Sequence, residues 1–148
     1  MGKNYMKLEF LSSNTSKYLA VEAINSFIKQ LNLSIQEESG IIIAVDEAVE
    51  NCKIHAYPEK PGPIMIKCQI LKNDIVDIII KDKGVGIEDC EKAKTSLFTT
   101  RKDDEHSGMG FTIIKTNMDE FEITSKLGVG TTIHMKKKIC KLKNDRYI

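Results

Sequence analysis

The sequence predicts an α+β domain, a two-layer α/β sandwich with helices on one face of a mostly antiparallel mixed sheet. Three observations predict it. Apolar residues recur at three- and four-residue steps through the first third of the chain, the period changes to two after Pro61-Gly62-Pro63, and the later apolar runs alternate between short Asn, Asp and Gly turns. With 148 residues, 41% of them hydrophobic, the chain is long enough to bury one core. The expected organisation is one domain over residues 1–140 followed by a basic tail over 141–148.

Residues 6–10 alternate weakly and read as a short strand, after which Ser12, Ser13 and Asn14 supply a helix start. From Tyr18 onward, Leu19, Ala23, Ile24, Phe27, Ile28 and Leu31 share one side of a helix, and that side is assigned to the core. Ser34 caps a second helix, with Glu37 completing a capping box. Ile41, Val45, Ala48 and Cys52 form its buried stripe, and Tyr57-Pro58 ends it. Ile64, Ile66, Cys68 and Ile70 then alternate with polar or flexible residues, and Val76, Ile78 and Ile80 do the same beyond Asn73-Asp74, which reads as an antiparallel hairpin. Residues 88–94 are a short helical candidate and 95–107 a polar loop without periodicity. GMGFTIIKTNM returns to helical spacing, and FEITSKLGVGTTIHMKKKI reads as two strands joined by a Gly-containing turn.

Composition excludes several classes of function. The 22 basic and 21 acidic residues nearly cancel, so no global field favours nucleic acid or a membrane surface. Cys52, Cys68, Cys90 and Cys140 are widely separated, with neither a CxxC pair nor disulfide-framework spacing, and suit a reducing cytoplasm. The start, MGKNYMKLEF, lacks the apolar run of a signal peptide, and no stretch approaches a membrane span of about 20 apolar residues. The expectation is a cytoplasmic protein.

Four short motifs carry the candidate chemistry. In AVDEAVENCKIHAY, Glu47, Asn51 and His55 fall at i, i+4 and i+8 and share one helix edge. Taken alone, three such polar residues are a solvated edge; taken functionally, a carboxylate and an amide hold a hard cation such as Mg²⁺, or the carboxylate serves as a base beside it. In DKGVG, Asp82 ends an apolar strand, and Gly84 and Gly86 follow where backbone can approach a ligand closely. The turn is an ordinary strand end by itself, but a buried Asp there can accept a hydrogen bond from an exocyclic amine. SGMGF puts Gly108 and Gly110 where a polar loop enters a helix, and free N–H groups at such a start attract phosphate. It matches neither a Walker loop nor a dinucleotide fingerprint. GVGTT, with Thr131, is a hairpin turn entering a strand.

In this order, the four motifs resemble those of the GHKL ATPases, which share the Bergerat nucleotide-binding fold. DEAVENCKIHAY, DKGVGIED, SLFTTR, SGMGFTIIKTNMDEFEI and GTTI resemble more narrowly the anti-sigma F factors, serine-protein kinases of sporulating Gram-positive bacteria. The resemblance runs over about residues 6–139. It implies that Asn51 coordinates Mg²⁺, that Asp82 accepts the adenine amino group of ATP beside Gly84 and Gly86, and that Thr131 assists it. It further implies phosphate contacts around Gly108 and Gly110 and a lid carrying Thr99, Thr100 and Arg101, with Arg101 opposing charge on the transferred phosphoryl group. Glu47 is the expected general base, one helical turn before the metal ligand. The implied acceptor is a serine on an anti-anti-sigma protein, and the implied second partner is a sigma factor held by a homodimer, without direct contact to nucleic acid or membrane. The sequence departs from the family at Val21, where an arginine of the first helix contacts the partner, and at His106, where close relatives carry arginine in the lid. His55 and the basic tail are assigned no chemistry. The alternative function is a nucleotide-dependent binding switch of the same fold without phosphate transfer; a detached histidine-kinase ATP-binding domain is a remoter third.

Overall fold

The computed structural model describes residues 4–86 and 110–140. The helical candidate over 88–94, the loop over 95–107 and the tail over 141–148 lie outside them. Alternation in the sequence becomes a sheet of five strands among the described residues: β1 (Asn4–Leu11), β2 (Pro63–Leu71), β3 (Ile75–Asp82), β4 (Glu120–Lys126) and β5 (Gly130–Lys138). Asn73 and Asp74 adopt left-handed backbone angles, φ 65° and 56°. Two such residues in succession make the tight turn whose twist matches paired strands, so β2 and β3 form the predicted hairpin. Its register sets Ile66 opposite Ile80 and Cys68 opposite Ile78, and all four side chains are buried. The strand order is β1-β2-β3-β5-β4. Every described pairing is antiparallel, so the mixed component of the expected sheet does not occur among these strands.

The helices α1 (Ser16–Ile28), α2 (Ile35–Asn51) and α3 (Gly110–Asn117) bring the second apolar layer, with a π-helical turn, Cys52–Ala56, continuing α2. The capping box forms as read: the Glu37 N–H donates to Ser34 Oγ at 3.1 Å, and the Ser34 N–H donates to Glu37 Oε1 at 2.8 Å. The stripe Ile41, Val45, Ala48 and Cys52 is buried as expected. The first helix differs from its sequence reading in start and phase. Thr15 is its N-cap, and the Ser16 hydroxyl, which donates to the Ser13 carbonyl and accepts the Ser13 N–H, fastens the entry. Its buried row is Ser16, Ala20, Ile24 and Ile28, whereas Leu19 is 49% exposed. Four-residue steps keep that row on the side packed against α2, and the small Ala20 lets the helices approach there, which turns Leu19 outward. Val21 is partly buried against the core.

Polar residues are buried on the sheet as well. Asp77 is 2% exposed; it accepts the Gln69 side-chain amide at 2.8 Å and bonds His134 Nε2 at 2.5 Å, a chain across β2, β3 and β5. This pairing is what allows a carboxylate to lie within a sheet. No helix among the described residues is long and apolar enough to cross a membrane.

Candidate functional site

The sheet places Asp82 at the last position of β3, opposite Ile64 of β2 and beside the start of β5. It is 4% exposed. Its Oδ1 accepts the Gly84 N–H at 2.9 Å and the Thr131 N–H at 3.1 Å. The buried Cys52 thiol at the end of α2 is a titratable neighbour of this carboxylate. Burial raises the Asp82 pKa above its ordinary value, while the two N–H groups and the thiol act in the opposite direction by favouring the carboxylate. Burial likewise pushes the Cys52 thiol well above the usual range, and the negative charge of Asp82 adds to the shift.

The glycines of DKGVG hold this carboxylate in place. A Cβ on Gly84 would collide with the Ala56 carbonyl of the π-helical turn, and the next residue, Val85, donates its N–H to that same oxygen at 3.2 Å. Gly86 has φ 82°, and a Cβ there would strike the Lys126 carbonyl, while the Gly128 N–H donates to Val85 O at 3.0 Å. In the direction a Cβ would take, both glycines therefore meet the chain's own backbone. The loop bearing Asp82 is wedged between the end of α2 and the β4–β5 turn. Tyr57 locks its far side: the phenol donates to Pro63 O and accepts the Lys83 N–H, both at 2.6 Å.

Glu47 and Asn51 are half-buried and lie one turn apart on the same edge of α2, as the four-residue spacing requires. The backbone switches to π-helical bonding at Cys52, with the Tyr57 N–H donating to Cys52 O across five residues, and His55 lies in this turn. Asn51 immediately precedes Cys52, whose buried thiol is close enough to Asp82 for the two groups to shift each other's pKa. Thr131 joins Asp82 through its N–H, whereas its hydroxyl bonds the Ser125 hydroxyl at 2.7 Å. α3 packs on α2, with its last residue, Asn117, against Gly40 near the start of that helix. Thr99, Thr100, Arg101, His106 and Gly108 lie outside the described residues. Sequence reasoning missed Cys52, Tyr57 and Ser125 as parts of the site. Cys52 fell on an apolar stripe, and periodicity does not tell which buried residue meets a carboxylate on a distant strand.

A sheet with helices on one face, an amide at a helix end and a buried Asp at a strand end define a nucleotide-binding ATPase class, and the family model for the histidine kinase-like ATPase domain matches residues 12–137. An anti-sigma F factor of Clostridium novyi is 45% identical over 140 residues, covering 94% of this chain and 97% of that protein. That of Caldanaerobacter subterraneus subsp. tengcongensis is 48% identical over 136 residues, covering 92% and 94%. The chain belongs to the anti-sigma F factor family of histidine kinase-like ATPase domains. Among solved structures, the RsbU and RsbW domains of a Mycobacterium tuberculosis protein align with a TM-score of 0.68 at 13% identity, over 93% of this chain and 33% of that one, which shows a shared fold.

Proposed function

We propose that this protein is a cytoplasmic anti-sigma factor that binds Mg-ATP, holds a sigma factor as a homodimer, and phosphorylates a serine on an anti-anti-sigma protein. The observation that supports the reading is Asp82, a buried carboxylate at the end of the central strand whose Oδ1 is held by the Gly84 and Thr131 N–H groups, in a chain whose α2 carries Glu47 and Asn51 one turn apart. The family's relatives support the sigma-factor half by name.

The donors present fit Mg²⁺. Asn51 and Glu47 offer hard oxygens one turn apart, and the described residues contain no group of three or more His, Cys, Asp or Glu side chains able to hold a metal by themselves. Mg²⁺ is commonly held in this manner, by one or two protein oxygens with phosphate and water completing the shell, and it neutralises charge on those phosphates. Asn51 would hold the ion, and Asp82 would accept the amino group of the base. Glu47 would take the proton of the incoming serine hydroxyl, one helical turn from the metal ligand. Gly84, Gly86 and Thr131 would keep Asp82 aimed, and Gly110 would open a helix whose first N–H groups face phosphate. Thr99, Thr100, Arg101 and Gly108 enter this reading through the family resemblance.

Replacing Glu47 with Gln tests the kinase step. The variant should bind Mg-ATP within about twofold of the parent and lose transfer to a serine-bearing anti-anti-sigma protein by about 10²–10⁴-fold, the usual contribution of a positioned base. Radiolabel transfer and calorimetry read the two quantities separately. Unchanged transfer would remove Glu47 from the base role, and nucleotide-dependent capture of a sigma factor with no transfer by the parent protein would favour a binding switch.

A further inference from the structure

Within its own loop Asp82 is held by the backbone: the Gly84 and Thr131 N–H groups converge on Oδ1 and fix the rotation of the carboxylate. Where the loop itself stands is set by other contacts. The peptide group joining Asp82 to Lys83 is the first of them, because its plane is attached directly to the Asp82 Cα. On one side it lies against Gly130, where a Cβ would collide with the Asp82 carbonyl oxygen. Its N–H donates to the Tyr57 hydroxyl at 2.6 Å, and that hydroxyl donates in turn to Pro63 O, at the start of β2, over the same distance. The phenol is itself backed. A Cβ on Gly62 would run into the Tyr57 ring, and Gly62 is tied to Ser12 just beyond β1, its N–H donating to Ser12 Oγ at 3.0 Å and its carbonyl accepting the Ser12 N–H at 2.8 Å. Burial raises the Tyr57 pKa, so the phenol keeps the proton that it donates to Pro63.

We propose that Tyr57 is a positioning residue for base recognition: its hydroxyl pins the Asp82–Lys83 peptide to the start of β2, at the place from which Asp82 meets the adenine amino group. The inference rests on Asp82 being the base-recognising residue. Without the hydroxyl, the exposed Lys83 N–H turns to water, and the next tie between this loop and the helix end is the Val85 N–H on Ala56 O, two residues further along the chain. The peptide is then pressed by Gly130 on one side and released on the other. Hydrogen bonds weaken steeply with distance and angle, so a shifted Asp82 loses much of its contact with an exocyclic amine. Adenine presents such a donor to the carboxylate, while guanine presents a carbonyl oxygen at the same place, so the shift weakens ATP and leaves GTP nearly as it was. Tyr57 acts through Asp82, and its effect is read in discrimination between bases.

The experiment is metal-free titration of the full chain with ATP and with GTP, read by displacement of a fluorescent ATP analogue, which keeps Asn51 out of the comparison. Tyr57→Phe keeps the ring packed on Gly62 and removes only the hydroxyl. It should lower the affinity for ATP by about fivefold, the scale of one neutral hydrogen bond, and leave that for GTP within about twofold. Ser12→Ala is the control for a merely structural role. It removes the acceptor of the Gly62 N–H behind the ring, and should lower Tm while keeping the parent's ratio of ATP to GTP affinity. An unchanged ratio in Tyr57→Phe overturns the proposal, and so does a ratio that falls as far in Ser12→Ala, because discrimination would then follow stability alone. Asp82→Asn separates the two layers of inference. If that variant retains full preference for ATP, the assignment of base recognition to Asp82 fails and the role of Tyr57 with it; if it loses the preference while Tyr57→Phe does not, Asp82 stands and the role of Tyr57 falls.

Discussion

Asp82 is under two opposed influences, and the balance has a measurable sign. Burial disfavours its charge, and the N–H groups of Gly84 and Thr131 with the Cys52 thiol favour it; burial is the largest, so its pKa is raised above 3.8. The folded protein therefore holds the Asp82 proton more tightly than the unfolded chain does. Between 3.8 and the raised value folding takes up a proton, and this group's contribution to stability falls as pH rises through that window. The prediction is that Asp82→Asn, which keeps an oxygen for both backbone donors but carries no charge, has a higher Tm than the parent at pH 7. The gain should shrink on acidification through the raised pKa, as the parent's carboxyl also becomes neutral. Calorimetry across a pH series reads this directly, and a lower Tm for Asp82→Asn at pH 7 would mean that the donors outweigh burial. A buried carboxylate kept at a stability cost is what a binding site, rather than a structural strand end, calls for.

At the scale of elements, the cap of α2 ties two distant segments together. Glu37 Oε1 accepts the Ser34 N–H, and its Oε2 accepts the N–H of Cys140, 103 residues away, at 2.8 Å. Ser34→Ala should cost about 1 kcal/mol in urea denaturation, the usual value of an N-cap, and Glu37→Ala about 2 kcal/mol because two N–H groups lose their acceptor. Equal losses would show that the Cys140 bond adds nothing. This cap was fully legible in the sequence, since Ser-x-x-Glu before an apolar run is a local signal, and so was the β2–β3 hairpin, whose Asn73-Asp74 turn and alternation agree. What was not legible depends on partners distant in the chain. Ala20 instead of Leu19 faces the core because α2 lies there, and the π-helical turn that continues α2 leaves no mark in a pattern of apolar residues. The glycines of DKGVG were recognised as sites of close approach, but not that Ala56 and Lys126 make the approach. In the candidate site, the sequence indicated Glu47, Asn51, Asp82 and Thr131 one by one, and only the fold showed that the Thr131 and Gly84 N–H groups both meet Asp82 Oδ1.

For the whole molecule, the order β1-β2-β3-β5-β4 makes β3 the central strand, and the site lies where its end meets the end of α2. Core and site thus share their main elements, so a ligand that bridges α2 and β3 stabilises the entire fold and not a peripheral loop. Binding to the folded state alone adds about 2.7 kcal/mol at one hundred times Kd. For a chain of this size that is a rise in Tm of about 5–10 °C. The two ends of the site should respond differently to metal. If Asn51 acts through Mg²⁺, as proposed, Asn51→Ala should show the parent's rise with ATP in EDTA but none of the additional rise that Mg²⁺ gives the parent. If Asp82 acts on the base, as proposed, Asp82→Asn should lose part of the rise in both conditions while keeping the increment due to metal. Thermal shifts of the three proteins with ATP, with and without Mg²⁺, decide between these patterns. Should Asn51→Ala lose the rise equally in EDTA and in Mg²⁺, the amide would be a structural part of the helix end instead of a metal ligand, and the division of the site into a phosphate end on α2 and a base end on β3 would have to be abandoned.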